Sequence, residues 1–338
     1  MTAHDAATRY EDLDEQAQVD ALRRVALEAA PRFGLEVARL ELVLHGFNTT
    51  FEVATSDSRR VALRVNVNSL SDDTHLAAQL AWVHALARDT DVRVPDPVPT
   101  RHGEPFTIVR SAVPERDFRV VVNTWLDGED VGDCDLDQAS ALGRAMATLH
   151  VHASTWSPPS GTSLPVFDEP LCGDEDRLSS SELLDDSGSQ VVAETFERTR
   201  QAFAADVATT TPVVVHGDLH GGNLKWHEGR LAVFDFDDAG LATPALDLAV
   251  ATYYLRGDPP EVETALRAGY GEVVEWPDVP PERFETLIAS RQLILANSLL
   301  TTSTPEYRAM APEYLARTVE RLRHWLTTGR FVLDPPAA

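Results

Sequence analysis

Hydrophobic positions follow two different periods along the chain. Between Gln16 and Phe33, Val19, Leu22, Val25, Ala26 and Ala29 recur at helical spacing and predict an amphipathic helix. From Val37 to Val67 the period drops to alternation. The runs VARLELVL, FEVAT and VALRVNV, broken by GFNTT and SDSRR, predict antiparallel strands joined by tight turns. Asp72 or Thr74 suits the cap of the next helix, LAAQLAWVHALA, where Leu76, Leu80, Val83 and Leu86 form an apolar stripe. After the connector VPDPVP, the runs Phe106 to Arg110 and Phe118 to Trp125 predict another strand pair. The first third is thus expected to be a small sheet with one packed helix.

Beyond Leu126-Asp127-Gly128 the pattern turns helical. Ser140 to His152 carries Leu142, Met146 and Leu149 on one face, and Val191 to Val207 is again amphipathic. Ser157 to Gly188, rich in Ser, Pro, Asp and Gly, predicts a loop or insertion with short helical pieces. Two β-like runs, VVVHGDLH and LAVFDFDD, precede several helices between Leu246 and Leu326, among them Thr286 to Leu300 and Tyr314 to Leu326. No repeat at a fixed period occurs. The expected layout is a β-rich amino lobe over residues 1–126 and a helical carboxyl lobe over 127–338.

Composition narrows the function classes. With 338 residues, 43% of them hydrophobic, the chain can bury a sizeable core as one large or two ordinary domains. Against 54 Asp plus Glu stand 29 Lys plus Arg, a formal charge of −25, which disfavours nucleic acid and anionic membranes as partners. Cys134 and Cys172 form no CxxC pair, so neither a disulfide scaffold nor a thiolate metal cage is expected, and a reducing compartment fits. No apolar run approaches a bilayer-spanning length, and the amino end MTAHDAATRYEDLDEQ is acidic where a secretory leader would be basic and then apolar. A soluble, cytoplasmic protein is the expectation. Lys225 is the only lysine, and its setting, GGNLKW, rules out a P-loop. The near absence of lysine suits a salt-loving organism or a GC-rich genome, so the charge reports environment rather than substrate.

The informative stretch is VVVHGDLHGGNLKWHEGRLAVFDFDDAG, Val213 to Gly240. An apolar strand delivers His216 and Asp218 into a glycine-containing loop, Asn223 follows, and a second strand ends in Asp235. Magnesium is a hard ion that takes oxygen ligands and needs few protein groups when phosphates complete its shell, so Asn223 and Asp235 suit that duty. Asp218 can then accept or orient the proton of an attacking hydroxyl, as an aspartate does in phosphoryl transfer. Turn-forming residues in a hairpin are the bland alternative. An HxDxxxxN match is expected only about 0.02 times by chance in a chain of this length, which disfavours it.

HGDLHGGN followed by FDFDDAG and ALDLA resembles the aminoglycoside phosphotransferase and choline kinase superfamily, small-molecule relatives of protein kinases, closest in flavour to the homoserine kinase type II and stress-response kinase branches. The resemblance implies an α+β, bilobal, protein-kinase-like fold that moves the γ-phosphate of ATP, with Mg2+, onto a hydroxyl. By position Asp218 matches the catalytic base, and Asn223 and Asp235 match the magnesium ligands. His216 would brace the loop and Asp247 would tie down its backbone.

In the amino lobe, Gly46-Phe47-Asn48-Thr49-Thr50 lies at a strand turn where backbone N–H groups and a hydroxyl can cover triphosphate oxygens, though the same residues also make an ordinary hairpin turn. Arg64 matches the family's phosphate-gripping cation where many relatives carry lysine; its planar fork changes reach and geometry. Gln79 aligns with a helix glutamate that normally pairs with that cation. The C=O of Thr124 and the N–H of Leu126 would meet the adenine edge.

Other candidates carry less. His216 and His220 have helical metal-ligand spacing, but Gly217 and the flanking strand argue against a helix. His150 and His152 suit core or cap roles. Asp237 and Asp238 suit solvent, a second metal or a cationic substrate, and Trp226, Trp276, Trp325, Tyr253 and Tyr254 suit the core better than an aromatic box. The expected function is an ATP-dependent phosphotransferase acting on a small-molecule hydroxyl: an amino alcohol, homoserine-like, aminoglycoside-like or choline-like. The alternatives are a Ser/Thr protein kinase of stress-response type and a weakly active nucleotide-binding pseudokinase.

Overall fold

The structure, a computed structural model, describes residues 9–69, 71–112, 115–257 and 259–336. The first half of the polar amino end, residues 1–8, lies outside the described residues. The chain divides into two compact units, each with its own hydrophobic core.

The first unit comprises Met1–Asp72, Pro95–Trp125 and Thr302–Met310. Its helix α1 (Glu15–Ala29) starts at Asp14, whose side chain accepts from the Ala17 N–H at 2.8 Å, a cap worth about 1 kcal/mol. Strands β1 (Val37–His45), β2 (Thr49–Thr55), β3 (Arg60–Val65), β4 (Thr107–Ala112) and β5 (Glu115–Thr124) form an antiparallel sheet in the order β1-β2-β3-β5-β4. The alternation legible in β2 and β3 is the alternation of burial: Phe51, Val53, Val61, Leu63 and Val65 point into a core completed by Leu22, Val25, Ala26 and Ala29 of α1.

The second unit comprises Asp73–Val94, Leu126–Thr301 and Ala311–Ala338. It contains α2 (Asp73–Asp89), β6 (Glu129–Asp130), α3 (Leu136–Ala153), α4 (Asp186–Val207), β7 (Val213–Val215), β8 (Leu224–His227), β9 (Arg230–Val233), β10 (Gly240–Ala242), α5 (Pro244–Leu255), α6 (Pro260–Gly271) and α7 (Pro281–Thr301). The last helix, α8 (Pro305–Thr328), lies mostly here, with its first residues counted in the sheet unit. The small strands pair as β6-β8-β9 and as β10-β7. Among the described residues, no helix is long and apolar enough to cross a membrane.

Three departures from the sequence reading have physical causes. The helix on the sheet is α1, and α2 groups with the helical unit. Besides its stripe, α2 carries Ala78 and Trp82, and the fully buried Trp82 ring meets Phe236 edge-on at 5.6 Å. Residues 302–310, expected in the carboxyl lobe, belong to the sheet unit. The stretch before Asp186 holds turns and an isolated bridge between Val166 and Leu241 but no helix; Pro158, Pro159, Pro165 and Pro170 each remove a backbone donor there.

Candidate active site

Strand β7 ends at Val215, and the fully buried His216 hands the chain to Gly217. Gly217 has φ +82°, and a Cβ there would stand 2.3 Å from the Asp238 carbonyl oxygen, so only glycine makes this turn. Asp247 Oδ1 accepts from the Gly217 N–H at 2.8 Å, while its Oδ2 lies 2.9 Å from His150 Nε2 and His150 Nδ1 lies 3.0 Å from the Tyr270 hydroxyl. Burial pushes the Asp247 carboxyl up, but the His150 hydrogen bond and charge outweigh it and hold the group below the usual carboxylate range. His216 accepts from the Asp218 N–H at Nδ1, 3.3 Å, and donates from Nε2 to the Phe234 carbonyl at 3.1 Å. Burial lowers its pKa, so the ring stays neutral, as one donor and one acceptor nitrogen require.

This frame brings together the residues singled out in the sequence. Asn223 closes a 3-10 turn, Gly221–Asn223, and its Nδ2 donates to the Asp218 carbonyl at 2.9 Å and to Asp218 Oδ2 at 3.2 Å. The antiparallel register of Leu224 with Val233, and the Phe234 N–H bonded to the Asn223 carbonyl at 3.0 Å, set Asp235 at the strand end beside Asn223. Asp235 has φ 65° and ψ 63°, the left-handed region that non-glycine residues seldom occupy and that clusters at functional sites. With the Asn223 amide protons spent on Asp218, its Oδ1 and the Asp235 carboxylate are hard oxygen donors, a set that fits a divalent cation whose shell phosphates complete.

Asp218 has partners that the sequence did not announce. Arg291 of α7 ion-pairs through Nη2 with Asp218 Oδ1, and the Tyr254 hydroxyl of α5 lies 2.9 Å from Arg291 Nη2 and 3.4 Å from Asp218 Oδ1. His220 stacks on the Tyr254 ring at 4.4 Å, with Nε2 3.7 Å from Asp218 Oδ2. Burial pushes the Asp218 carboxyl up, but Arg291 and His220 outweigh it and keep its pKa lowered. A signal for Arg291 was present: a charge inside the run TLIASRQLILANSLL, between Ile288 and Leu293, which are both buried.

His216 and His220 face different partners and share no ligand geometry. Trp276 packs edge-on against Tyr270 and Phe284, and Trp325 is buried, so these aromatics serve the core. Gln79, buried on α2, donates to Asp237 Oδ1 at 3.4 Å.

The sheet unit gathers its own set. The turn Gly46–Thr49 is held by Thr304, whose hydroxyl donates to the Gly46 carbonyl at 2.6 Å, and by Asn68, whose amide donates to the Phe47 carbonyl at 2.8 Å. Asn48 Oδ1 accepts from the Val67 N–H at 2.7 Å, and the Thr49 hydroxyl lies 2.7 Å from His45 Nδ1. The Phe47 ring lies against Tyr307 at 5.8 Å. Arg64 stands opposite Thr50 in the β2–β3 register, so Gly46, Phe47, Asn48, Thr49 and Arg64 share one corner of the sheet. Thr124 ends β5 and exchanges hydrogen bonds with Asp96, each 2.9 Å, whereas Leu126 is the first residue of its segment in the helical unit.

Comparison with known proteins follows the same lines. The model of the family described as Phosphotransferase enzyme family, APH, matches residues 39–283. An amicoumacin kinase of Bacillus subtilis (strain 168) is 22% identical over 235 residues, covering 68% of this chain and 67% of that protein. An uncharacterized protein of Deinococcus radiodurans is 29% identical over 222 residues, 64% of this chain and 62% of its own length. The structure of a microcompartment-associated aminopropanol kinase superposes with a TM-score of 0.76 at 23% identity, covering 94% of this chain and 100% of that one. An amicoumacin kinase in complex with AMP-PNP, Ca2+ and Ami gives a TM-score of 0.69 at 18% identity, covering 91% and 94%. The α+β, protein-kinase-like fold of these phosphotransferases is the fold described above.

Proposed function

The chain belongs to the phosphotransferase enzyme family APH and is a kinase of small-molecule hydroxyls, and we propose that Asp218 is the base that takes the proton of the attacking hydroxyl. The donor is ATP. Asn223 and Asp235 would hold Mg2+, which supplies charge neutralisation on the phosphate oxygens when bound. Phosphoryl transfer through a loose transition state asks the protein mainly for position and charge. The loop answers the first demand: His216 and Asn223 hold the Asp218 N–H and carbonyl, and Asp247 holds the N–H of the preceding Gly217. In the sheet unit, the backbone and hydroxyl of Gly46, Phe47, Asn48 and Thr49 cover the phosphates, with the Arg64 guanidinium as their cation. The Thr124 carbonyl and the Leu126 N–H read the adenine edge.

For the acceptor we favour an amine-bearing alcohol. Asp238 has Asp218, Asp235 and Asp237 within electrostatic reach in the helical unit, against the single Arg291 guanidinium, a setting that attracts a cation. A cytoplasmic location, which supplies ATP and keeps Cys134 and Cys172 as free thiols, completes the reading.

The observation that carries the proposal is the pair of hydrogen bonds that Asn223 Nδ2 donates to the backbone carbonyl and the carboxylate of Asp218, beside Asp235. Labelled ATP supplied with pools of amino alcohols, aminoglycosides and proteins tests it. Label on a small amine-bearing alcohol, lost roughly 100-fold or more in Asp218→Asn, is expected. Transfer by that variant at the wild-type rate refutes the role of Asp218, and label on protein bands alone refutes the acceptor class.

A further inference from the structure

Beside the base stands a buried charge to which the reaction as described gives no task. Arg291 is 5% exposed, and on α7 it sits among the buried apolar Leu287, Ile288, Ala289 and Leu293, with the buried polar Ser290 and Gln292 on either side. Taking a guanidinium out of water is expensive, and packed apolar residues commonly replace such ion pairs without loss of stability. Core packing therefore gives no reason for an arginine here. Its partners do. Nη2 ion-pairs with Asp218 Oδ1 and lies 2.9 Å from the Tyr254 hydroxyl; Nε lies 3.3 Å from the same hydroxyl. Tyr254 in turn is 3.4 Å from Asp218 Oδ1.

The carboxylate of Asp218 is thus held on two sides. Oδ1 is engaged by Arg291 and Tyr254, two groups from α7 and α5; Oδ2 receives Asn223 Nδ2 at 3.2 Å, with His220 Nε2 at 3.7 Å. A carboxylate turning about its Cβ–Cγ bond exchanges its two oxygens, and an anchored Oδ1 stops that exchange. A guanidinium does this better than an ammonium because its donors lie in a rigid plane. The remaining acceptor capacity of the group then lies in a fixed direction, which is what general-base catalysis on a bound hydroxyl requires.

We propose that Arg291, steadied by Tyr254, is the positioning residue of the base, fixing the Asp218 carboxylate through Oδ1 so that Oδ2 meets the acceptor hydroxyl. This rests on Asp218 being the base. In this assignment Arg291 acts on the reaction through Asp218, its ion-pair partner.

Steady-state kinetics and direct nucleotide binding by calorimetry on the full chain test the proposal, using Arg291→Gln, Arg291→Lys, Tyr254→Phe, Asp218→Asn and the Asp218→Asn/Arg291→Gln double variant. For Arg291→Gln, kcat is expected to fall roughly 10- to 100-fold, as a misplaced catalytic group does, with the KM of the acceptor and the Kd of ATP within about twofold of wild type. Arg291→Lys recovers part of the loss and Tyr254→Phe loses less. The double variant is no slower than Asp218→Asn, because removing the anchor of an absent base costs nothing further. If Arg291→Gln does not fold, as judged by circular dichroism, the lysine and phenylalanine variants carry the same test.

Three outcomes overturn the proposal. A kcat that is unchanged or higher in Arg291→Gln makes the arginine a plug or a bystander. A raised acceptor KM at unchanged kcat makes it a substrate ligand. Equal loss of kcat and of nucleotide affinity, without rescue by lysine, makes it scaffold. Wild-type activity in Asp218→Asn sinks the underlying base assignment instead, so the two failures are distinguishable.

Discussion

Asp247 holds the backbone of Gly217 across 30 residues of chain, its Oδ1 accepting the glycine N–H at 2.8 Å. Asp247 is fully buried, and its other oxygen meets His150 Nε2 at 2.9 Å. Asp247→Ala leaves a buried N–H and a buried imidazole without their acceptor and is expected to cost about 3 kcal/mol. Its acid dependence follows from the depressed pKa. A carboxylate lowered in the folded state contributes stability that is complete above the unfolded value, about 3.9, and is lost as pH falls through the folded value. Urea melts of wild type and Asp247→Asn should therefore differ most at neutral pH and converge below about pH 4. A gap that persists undiminished in acid would assign the stability to the shape of the side chain and not to its charge.

Asp235 separates strain from chemistry. Its left-handed backbone costs a non-glycine residue roughly 1–2 kcal/mol, which glycine does not incur. Asp235→Gly is expected to melt at the wild-type temperature or above while phosphotransfer disappears and the stabilisation of the protein by ATP no longer depends on magnesium. Calorimetric scans with and without the metal read both effects. A variant that is less stable, or that still responds to magnesium, contradicts the metal-ligand role.

The turn at Gly46–Thr49 is braced from residue 304. Thr304→Val removes the hydroxyl that donates to the Gly46 carbonyl at 2.6 Å. We expect nucleotide Kd to rise roughly 3- to 10-fold, about 1 kcal/mol, with little change in kcat at saturating ATP. Gly46→Ala sets a Cβ 2.9 Å from the Tyr307 hydroxyl and should weaken nucleotide binding similarly; Tyr307→Phe in the same chain, which clears that oxygen, should restore it. Unchanged nucleotide affinity in both variants would remove this turn from the nucleotide site.

The acidic excess predicts salt dependence. At a formal charge of −25, self-repulsion acts over distances that salt shortens from about 10 Å at 0.1 M to about 3 Å at 1 M. The melting temperature is expected to rise by several degrees over that range. A flat or falling trend would show that local ion pairs such as Arg256 with Glu263 and Glu285 outweigh the net charge.

The sequence displayed unequal parts of this site. Asp218, Asn223 and Asp235 were legible because their spacing reflects a local requirement: a strand, a loop closed by Asn223, and a strand returning beside it. Strands β2 and β3 were legible because one buried face imposes period two. Arg291 was not, since its partner lies 73 positions away and α7 shows only a charged residue in an apolar run. The membership of α2 escaped for a related reason. Its stripe names an apolar face but not the surface that covers it, and Trp82 decided for the helical core. Residues 302–310 carry no periodic signal; Thr304 and Tyr307 matter through contacts with Gly46 and Phe47 more than 250 positions earlier.

That last feature sets an order of events during synthesis. The sheet unit draws on Met1–Asp72 and Pro95–Trp125, yet it lacks a component until Thr302–Met310 has left the ribosome. A nascent chain halted ahead of that stretch carries every strand of the sheet but leaves the Gly46 carbonyl without the Thr304 hydroxyl, so the turn at Gly46–Thr49 gains its brace only after Thr304 has been made.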